Sequence, residues 1–185
     1  MNNCKRVVRW SANNGLGLEH LSFNCNDQGA FIESVIIGNE DRDLFAATYE
    51  LRCDSNWNVI TCIVQVIGGH SMTLSSNGKG RWTDGDGKHL KELEGCIDVD
   101  ISVTPFTNTL PIRRLGLCAG ERKEVVAAYI PVPTLTPRPF RQAYTCLEVG
   151  SKYFYEGLSS GFEVDLAVDN DQIVIDYLDI FKRVN

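Results

Sequence analysis

Asp98 and Asp100 are the residues whose type and spacing come closest to doing chemistry. They lie in residues 97–103, where Ile97, Val99, Ile101 and Val103 alternate with Asp98, Asp100 and Ser102. A strict period of two gives a strand with one apolar and one polar face. Two residues of strand rise set the attachment points of the two carboxylates about 7 Å apart. Inverting glycosidases hold their carboxyl groups about 6.5–9.5 Å apart, but on opposite sides of the sugar, whereas one strand face approaches from one side only. The plain expectation is a solvated outer face. The sharper one sets both carboxylates in the mouth of a barrel, facing a polar ligand.

The segment that follows, TPFTNTLPIRRLG, has to reverse the chain over the end of that strand. Pro105 cannot donate to a ladder and ends the strand. Asn108 or Thr109 can cap a short helix, with Pro111 in its first turn and Gly116 as its stop. That helix is expected to act as a lid or plug over a barrel opening. It carries Arg113 and Arg114 towards the carboxylates, and adjacent residues on a helix point apart, so at most one arginine reaches a shared site. Trp82 lies on the preceding strand. An indole, two carboxylates and a guanidinium suit a sugar head, by stacking and by hydrogen bonds. Trp82, Asp98, Asp100, Arg113 and Arg114 are therefore the candidate ligand-binding residues. The competing expectation is structural: an Arg–Asp pair pins the helical segment and Trp82 fills the core.

Other motifs dissolve on inspection. Asp84 and Asp86 with Gly87 imitate positions 3, 5 and 6 of a calcium loop, but Trp82 and Leu93 then occupy positions 1 and 12, so an Asp-Gly turn is expected. Residues 69–73, GHSMT, lack the last glycine of a nucleophile elbow. Gly15-Leu16-Gly17 lacks the third glycine of a dinucleotide fingerprint. His20, His70 and His89 have no ligand spacing, and no Cys-x-x-Cys pair occurs. No catalytic residue, metal or cofactor is expected, and a non-enzymatic role is favoured.

The elements that must position these residues are strands. About a dozen short β-like runs are separated by turn signals such as Asn26-Asp27-Gln28-Gly29, Asn77-Gly78 and Asp169-Asn170-Asp171. Helical periodicity never lasts beyond three turns, and only residues 178–184 hint at a terminal helical turn. A sheet of so many twisted strands should curl or close. The fold class expected is all-β with minor α: an incomplete or pseudo β-barrel of antiparallel meanders with a short helical lid. The 185 residues suit a single domain spanning 1–185. It is composed, on one reading, of two similar halves, with residues 49–83 matching 144–177 and Tyr49 matching Tyr144.

A net charge of −6 and only small basic clusters argue against a nucleic-acid surface. No run reaches the length of a membrane helix and the N-terminus lacks a secretory pattern, so a cytoplasmic protein is expected. Seven irregularly spaced cysteines are expected to be free thiols.

GRWTDGDG, GCIDVDIS and TPFTNTLPIRRLGL, with GLEH, YELRCDSNW, RQAY and SGF elsewhere, resemble the hallmark segments of the bacterial family named "putative glycolipid-binding". The resemblance spans nearly the whole chain. It implies an incomplete barrel similar to that of the lipoprotein-localisation factors, which hold acyl chains, and no established catalytic residues. The function it implies is a binding or carrier protein for a glycolipid or other amphipathic small molecule in a barrel-like cavity. The alternatives are a hydrolase of a sugar or sugar ester using Asp98 and Asp100, and a protein-interaction module with no small ligand. Fold likeness alone names no ligand.

Overall fold

The computed structural model describes residues 4–40, 43–177 and 180–184. The first meander comprises β1 (Cys4–Ala12), β2 (Leu18–Asn26), β3 (Gly29–Glu40), β4 (Asp43–Cys53), β5 (Val59–Val66), β6 (Ser71–Ser76) and β7 (Trp82–Thr83). After β8 (Asp98–Ile101) and the helix α1 (Thr109–Leu115) comes a second meander. Its strands are β9 (Arg122–Ile130), β10 (Arg138–Glu148), β11 (Lys152–Gly157), β12 (Phe162–Val168), β13 (Val174–Tyr177) and β14 (Phe181–Val184). All fourteen strands form one sheet, running from β7 back to β1, across to β14 and back again to β8. The fold is all-β with minor α.

Two expectations about the chain path need correction. β8 pairs with β9 in parallel, not as part of an antiparallel meander. A parallel pair needs a crossover, and the long connection containing α1 supplies it. The end of the chain is not helical where it is described: residues 181–184 pair with β1, Arg9 opposite Val184. Residues 178 and 179 lie outside the described residues.

The edge strands in space, β7 and β8, are consecutive in sequence, yet no ladder joins them among the described residues, so the sheet curls without closing into a barrel. The seam is held otherwise. Trp82, fully buried, donates its indole N–H to the Cys96 carbonyl at 2.7 Å. The Gly95 N–H bonds the Gly80 carbonyl at 2.8 Å.

The helical segment fills the space the sheet surrounds. Residues 104–112 are buried without a break. Phe106 and Leu110 belong to the core of the first meander, and Ile112 and Leu117 to that of the second. Each such side chain contributes roughly 1.5–3 kcal/mol by leaving water. Gly116 ends α1 in the left-handed conformation, φ 55°. Asn108 does not cap it, because the turn Phe106–Asn108 leads directly into the helix. Its side chain reaches sideways, to the Pro105 carbonyl at 3.2 Å and the Tyr144 hydroxyl at 2.9 Å.

Four loops share one design. Asp54, Asn77, Asp84 and Asp169 each accept the backbone N–H groups two and four residues ahead. In each the fourth residue has positive φ: Trp57, Gly80, Gly87 and Gln172. A short polar side chain holding its own backbone is what makes these turns. The Asp84–Gly87 pattern is therefore such a turn, and no cluster of three or more metal-ligating side chains occurs among the described residues.

The seam predicts a difference between two glycines of similar φ. A Cβ on Gly80 (φ +84°) meets the Gly95 backbone at 2.9 Å, whereas one on Gly87 (φ +80°) meets nothing within 4 Å. Gly87→Ala should cost about 1 kcal/mol from backbone strain alone. Gly80→Ala should cost at least twice that, read as the denaturation midpoint in urea. Equal losses would show that the Gly80–Gly95 contact does not hold the seam.

Candidate functional site

Asp98 is not on a solvated face: it is 1% exposed. The polar face of β8 is covered by α1 and β10, which corrects the expectation of a solvated outer face. Arg114 reaches back from the last turn of α1 and grips both Asp98 oxygens, Nε to Oδ1 at 3.0 Å and Nη2 to Oδ2 at 2.6 Å. Burial disfavours the charge on Arg114, but its hydrogen bonds to Asp98 outweigh this and raise its pKa. Arg113 turns the other way. Its Nη1 donates to the Asp171 carbonyl at 2.6 Å, and its guanidinium lies 4.1 Å over the Trp57 ring. Trp82 is in the core at the seam, away from both arginines' polar contacts. Of the five predicted residues, the structure joins Asp98 to Arg114 and sets Arg113 beside Arg114 in the wall of one cleft, while Asp100 and Trp82 stand apart from them.

Asp100 takes a different environment. Gln142 Nε2 donates to its Oδ2 at 2.6 Å and the Thr107 hydroxyl to its Oδ1 at 3.4 Å. Burial raises its pKa to about 6, against these two hydrogen bonds. Asp100 lines a cleft of about 300 Å³ whose walls include Tyr129, Arg138, Phe140, Tyr155 and Tyr177. The rings interlock, Tyr129 with Phe140 at 5.5 Å and Tyr177 stacked on Phe181 at 6.2 Å, while Arg138 sits 4.8 Å over Tyr129.

A second cleft of about 230 Å³ shares Ser102, Ile180 and Phe181 with the first. Its lining sets Trp10, Ile36, Phe45 and Val103 beside the polar Asn14, Asn39 and Ser102, with Leu18 and Ile37 at an exposed rim. The acid in this wall is Glu19, 2% exposed. Glu19 Oε1 accepts the Ser34 and Tyr49 hydroxyls, each at 2.7 Å, and Oε2 is buried without a hydrogen bond. Burial raises its pKa to about 7, with the hydroxyls of Thr104, Ser34 and Tyr49 opposing. Sequence reasoning missed Glu19, although the signal was present. Glu19 keeps phase with Leu21 and Phe23, which are the buried face of β2. A carboxyl in register with a core face is a group that burial will perturb.

The Arg114–Asp98 pair and the Glu19 carboxyl each yield a measurable expectation. Arg114→Met leaves a buried carboxylate unpaired, a loss of about 3–5 kcal/mol, which for a chain of this size lowers Tm by on the order of 10 °C. The double variant Arg114→Met/Asp98→Leu should recover much of that loss. A single variant that melts like the parent would show the pair to be dispensable. Glu19 is protonated more readily folded than unfolded, so its contribution to stability is fully present below its ordinary value of 4.5 and is lost as pH rises through about 7. The difference is on the order of 3 kcal/mol. Glu19→Gln should therefore flatten the fall in Tm between pH 5 and pH 8, and a parallel fall in variant and parent would contradict this.

Comparison with known proteins agrees with the geometry at the level of the whole chain. A solved structure of a DUF1089 family protein from Pseudomonas aeruginosa superposes with a TM-score of 0.82 at 40% sequence identity, over 90% of this chain and 92% of that one. No curated protein matches the chain. No helix among the described residues is long and apolar enough to cross a membrane, which says nothing of strands. The model of the family described as "putative glycolipid-binding" matches residues 7–183, and the chain belongs to that family.

Proposed function

We propose that this protein binds an amphipathic small molecule of glycolipid type, and holds it in the two adjoining clefts and not in a central barrel cavity. The interior that a barrel would offer is taken by residues 104–112. The observation that carries the reading is the adjacency of the clefts. One wall set holds the large apolar side chains Trp10, Ile36, Phe45 and Val103 beside Asn14 and Asn39, the next combines rings with Asp100 and Arg138, and Ser102, Ile180 and Phe181 belong to both. Their separate sizes, about 230 and about 300 Å³, together enter the usual range for small-molecule sites, about 300–1,000 Å³. The apolar cleft suits an acyl chain entering past Leu18 and Ile37. The ring-lined cleft suits a sugar, which stacks its C–H face on aromatic rings and bonds its hydroxyls to Asp100 and Arg138.

The family description supports the same class of ligand. A hydrolase working through both Asp98 and Asp100 finds only Asp100 in a cleft, because Arg114 occupies both oxygens of Asp98.

Native mass spectrometry of protein purified from cells is the direct test. Bound lipid should appear as a discrete added mass, and n-octyl glucoside should compete for the same sites. Ile37→Trp, at the rim where Ile37 is 61% exposed, should strip the lipid without loss of fold. Phe140→Ala should weaken n-octyl glucoside several-fold by removing a ring of the sugar cleft. Protein that carries no lipid and takes up none, or a rim variant that retains it fully, would overturn the reading.

A further inference from the structure

A third cleft, of about 390 Å³, opens at the end of α1, between the loops that begin at Asp54 and Asp169. Asn56, Trp57, Arg113, Arg114, Asn170 and Gln172 line it. It is lined by two cations and no carboxylate in a chain of net charge −6.

The two arginines are not equivalent. Arg114 is neutralised by Asp98 beneath it. Arg113 has no carboxylate in contact among the described residues: its polar partner is one backbone carbonyl, that of Asp171. A guanidinium carries five N–H donors in a planar fork, so most of them remain for a ligand. Burial lowers the Arg113 pKa, although Asp171 and Asp169 act on it from a distance, which marks a charge short of compensation.

The backbone beneath that guanidinium is unusual. Trp57 (φ 66°) and Gln172 (φ 58°) occupy the left-handed position that the two sister loops give to Gly80 and Gly87. For a residue as bulky as tryptophan this conformation is strained, and such strain collects at ligand sites. Here it sets the indole ring 4.1 Å from the Arg113 guanidinium carbon, so that the ring backs the fork. The Asp169 loop is anchored independently. Asp169 accepts Arg183 at 2.6 Å and Arg6 at 3.2 Å, and Arg6 also holds Asp171.

We propose that this cleft is an oxyanion site for a phosphoryl group, with Arg113 as the charged fork, Trp57 as its backing plate, and the amides of Asn56, Asn170 and Gln172 around it. The planar fork fits two phosphoryl oxygens at once. The site is separate from the two adjoining clefts, and neither proposal depends on the other.

The test is a titration with inorganic phosphate at constant ionic strength, balanced with sodium chloride. Tryptophan fluorescence reports on the site through Trp57, whose ring lies 4.1 Å from the Arg113 guanidinium, whereas the Trp10 and Trp82 indoles are held elsewhere, by the Val174 and Cys96 carbonyls. The wild-type protein should show a saturable change and a rise in Tm. Arg113→Gln should weaken phosphate about tenfold to hundredfold, the effect of losing a charge-assisted pair. Asn170→Asp, at an exposed position, places a negative charge at the rim and should weaken phosphate comparably at unchanged stability. It carries the test if Arg113→Gln does not fold. Phosphatidic acid vesicles in place of free phosphate separate the sources: co-sedimentation lost in Asn170→Asp assigns a lipid phosphate, and no co-sedimentation beside a saturable phosphate response assigns a soluble one. A wild-type protein with no saturable response up to tens of millimolar phosphate, or an undiminished response in Asn170→Asp, would overturn the proposal.

Discussion

A curled sheet of fourteen strands surrounds more space than its own side chains can fill. Barrels of about eight strands pack their interiors with side chains, and larger ones leave a lumen. This chain meets the constraint by packing residues 104–112 against the cores of both meanders. Thr104 to Ile112 are buried in succession, and Phe106 and Leu110 pack with one meander while Ile112 and Leu117 pack with the other. The plug is also the crossover that makes β8 and β9 parallel. Its helix is short, seven residues, and could not stand alone in water. What holds it is the Arg114–Asp98 pair at one end and, at the other, the hydrogen bonds of Thr107 to Asp100 and Asn108 to Tyr144.

The same segment decides where sites can be. With the centre filled, two of the openings lie where the plug meets the sheet. Asn108 and Thr104, at its start, belong to the wall of the ring-lined cleft. Arg113 and Arg114, at its end, belong to the wall of the cationic cleft. The polar groups of the plug thus serve twice: inward contacts fix the segment, and their neighbours form cleft walls.

Much of this was legible in the sequence, because the strand signals are local. Alternation gave β2, β8 and β12, and Asx-type turn residues marked the loops whose side chains indeed hold their own backbones. Pro111 and Gly116 bounded the helix, and the adjacency of Arg113 and Arg114 required them to diverge. What failed was non-local. The burial of Asp98 depends on α1 folding across β8, which no pattern within residues 97–103 records. The pairing of residues 181–184 with β1 joins the two ends of the chain. The ring-lined cleft draws its aromatics from every strand from β9 to β14, so they read as ordinary strand residues until the sheet brings them together. Trp82 shows the converse: a residue conspicuous in sequence that the fold spends on the seam.

The buried carboxyls sort by environment in a way that bears on ligand class. Burial pushes the Asp98 carboxyl up as well, but Arg114 meets both its oxygens and opposes the shift, so its charge has a partner in place. Asp100 and Glu19 meet only neutral donors, an amide and hydroxyls, which cannot cancel a charge. Burial therefore raises both, to about 6 and about 7, and both face the adjoining clefts. A carboxyl poised between its two forms can accept from or donate to a hydroxyl, but it repels an anion whenever it is charged. These two clefts are thus suited to neutral hydroxyl-bearing molecules. The anion-favouring cleft is the one whose lining holds no carboxylate: Asp98 is buried beneath Arg114, Asp169 and Asp171 are paired with Arg183 and Arg6, and Arg113 keeps its charge with a carbonyl for company.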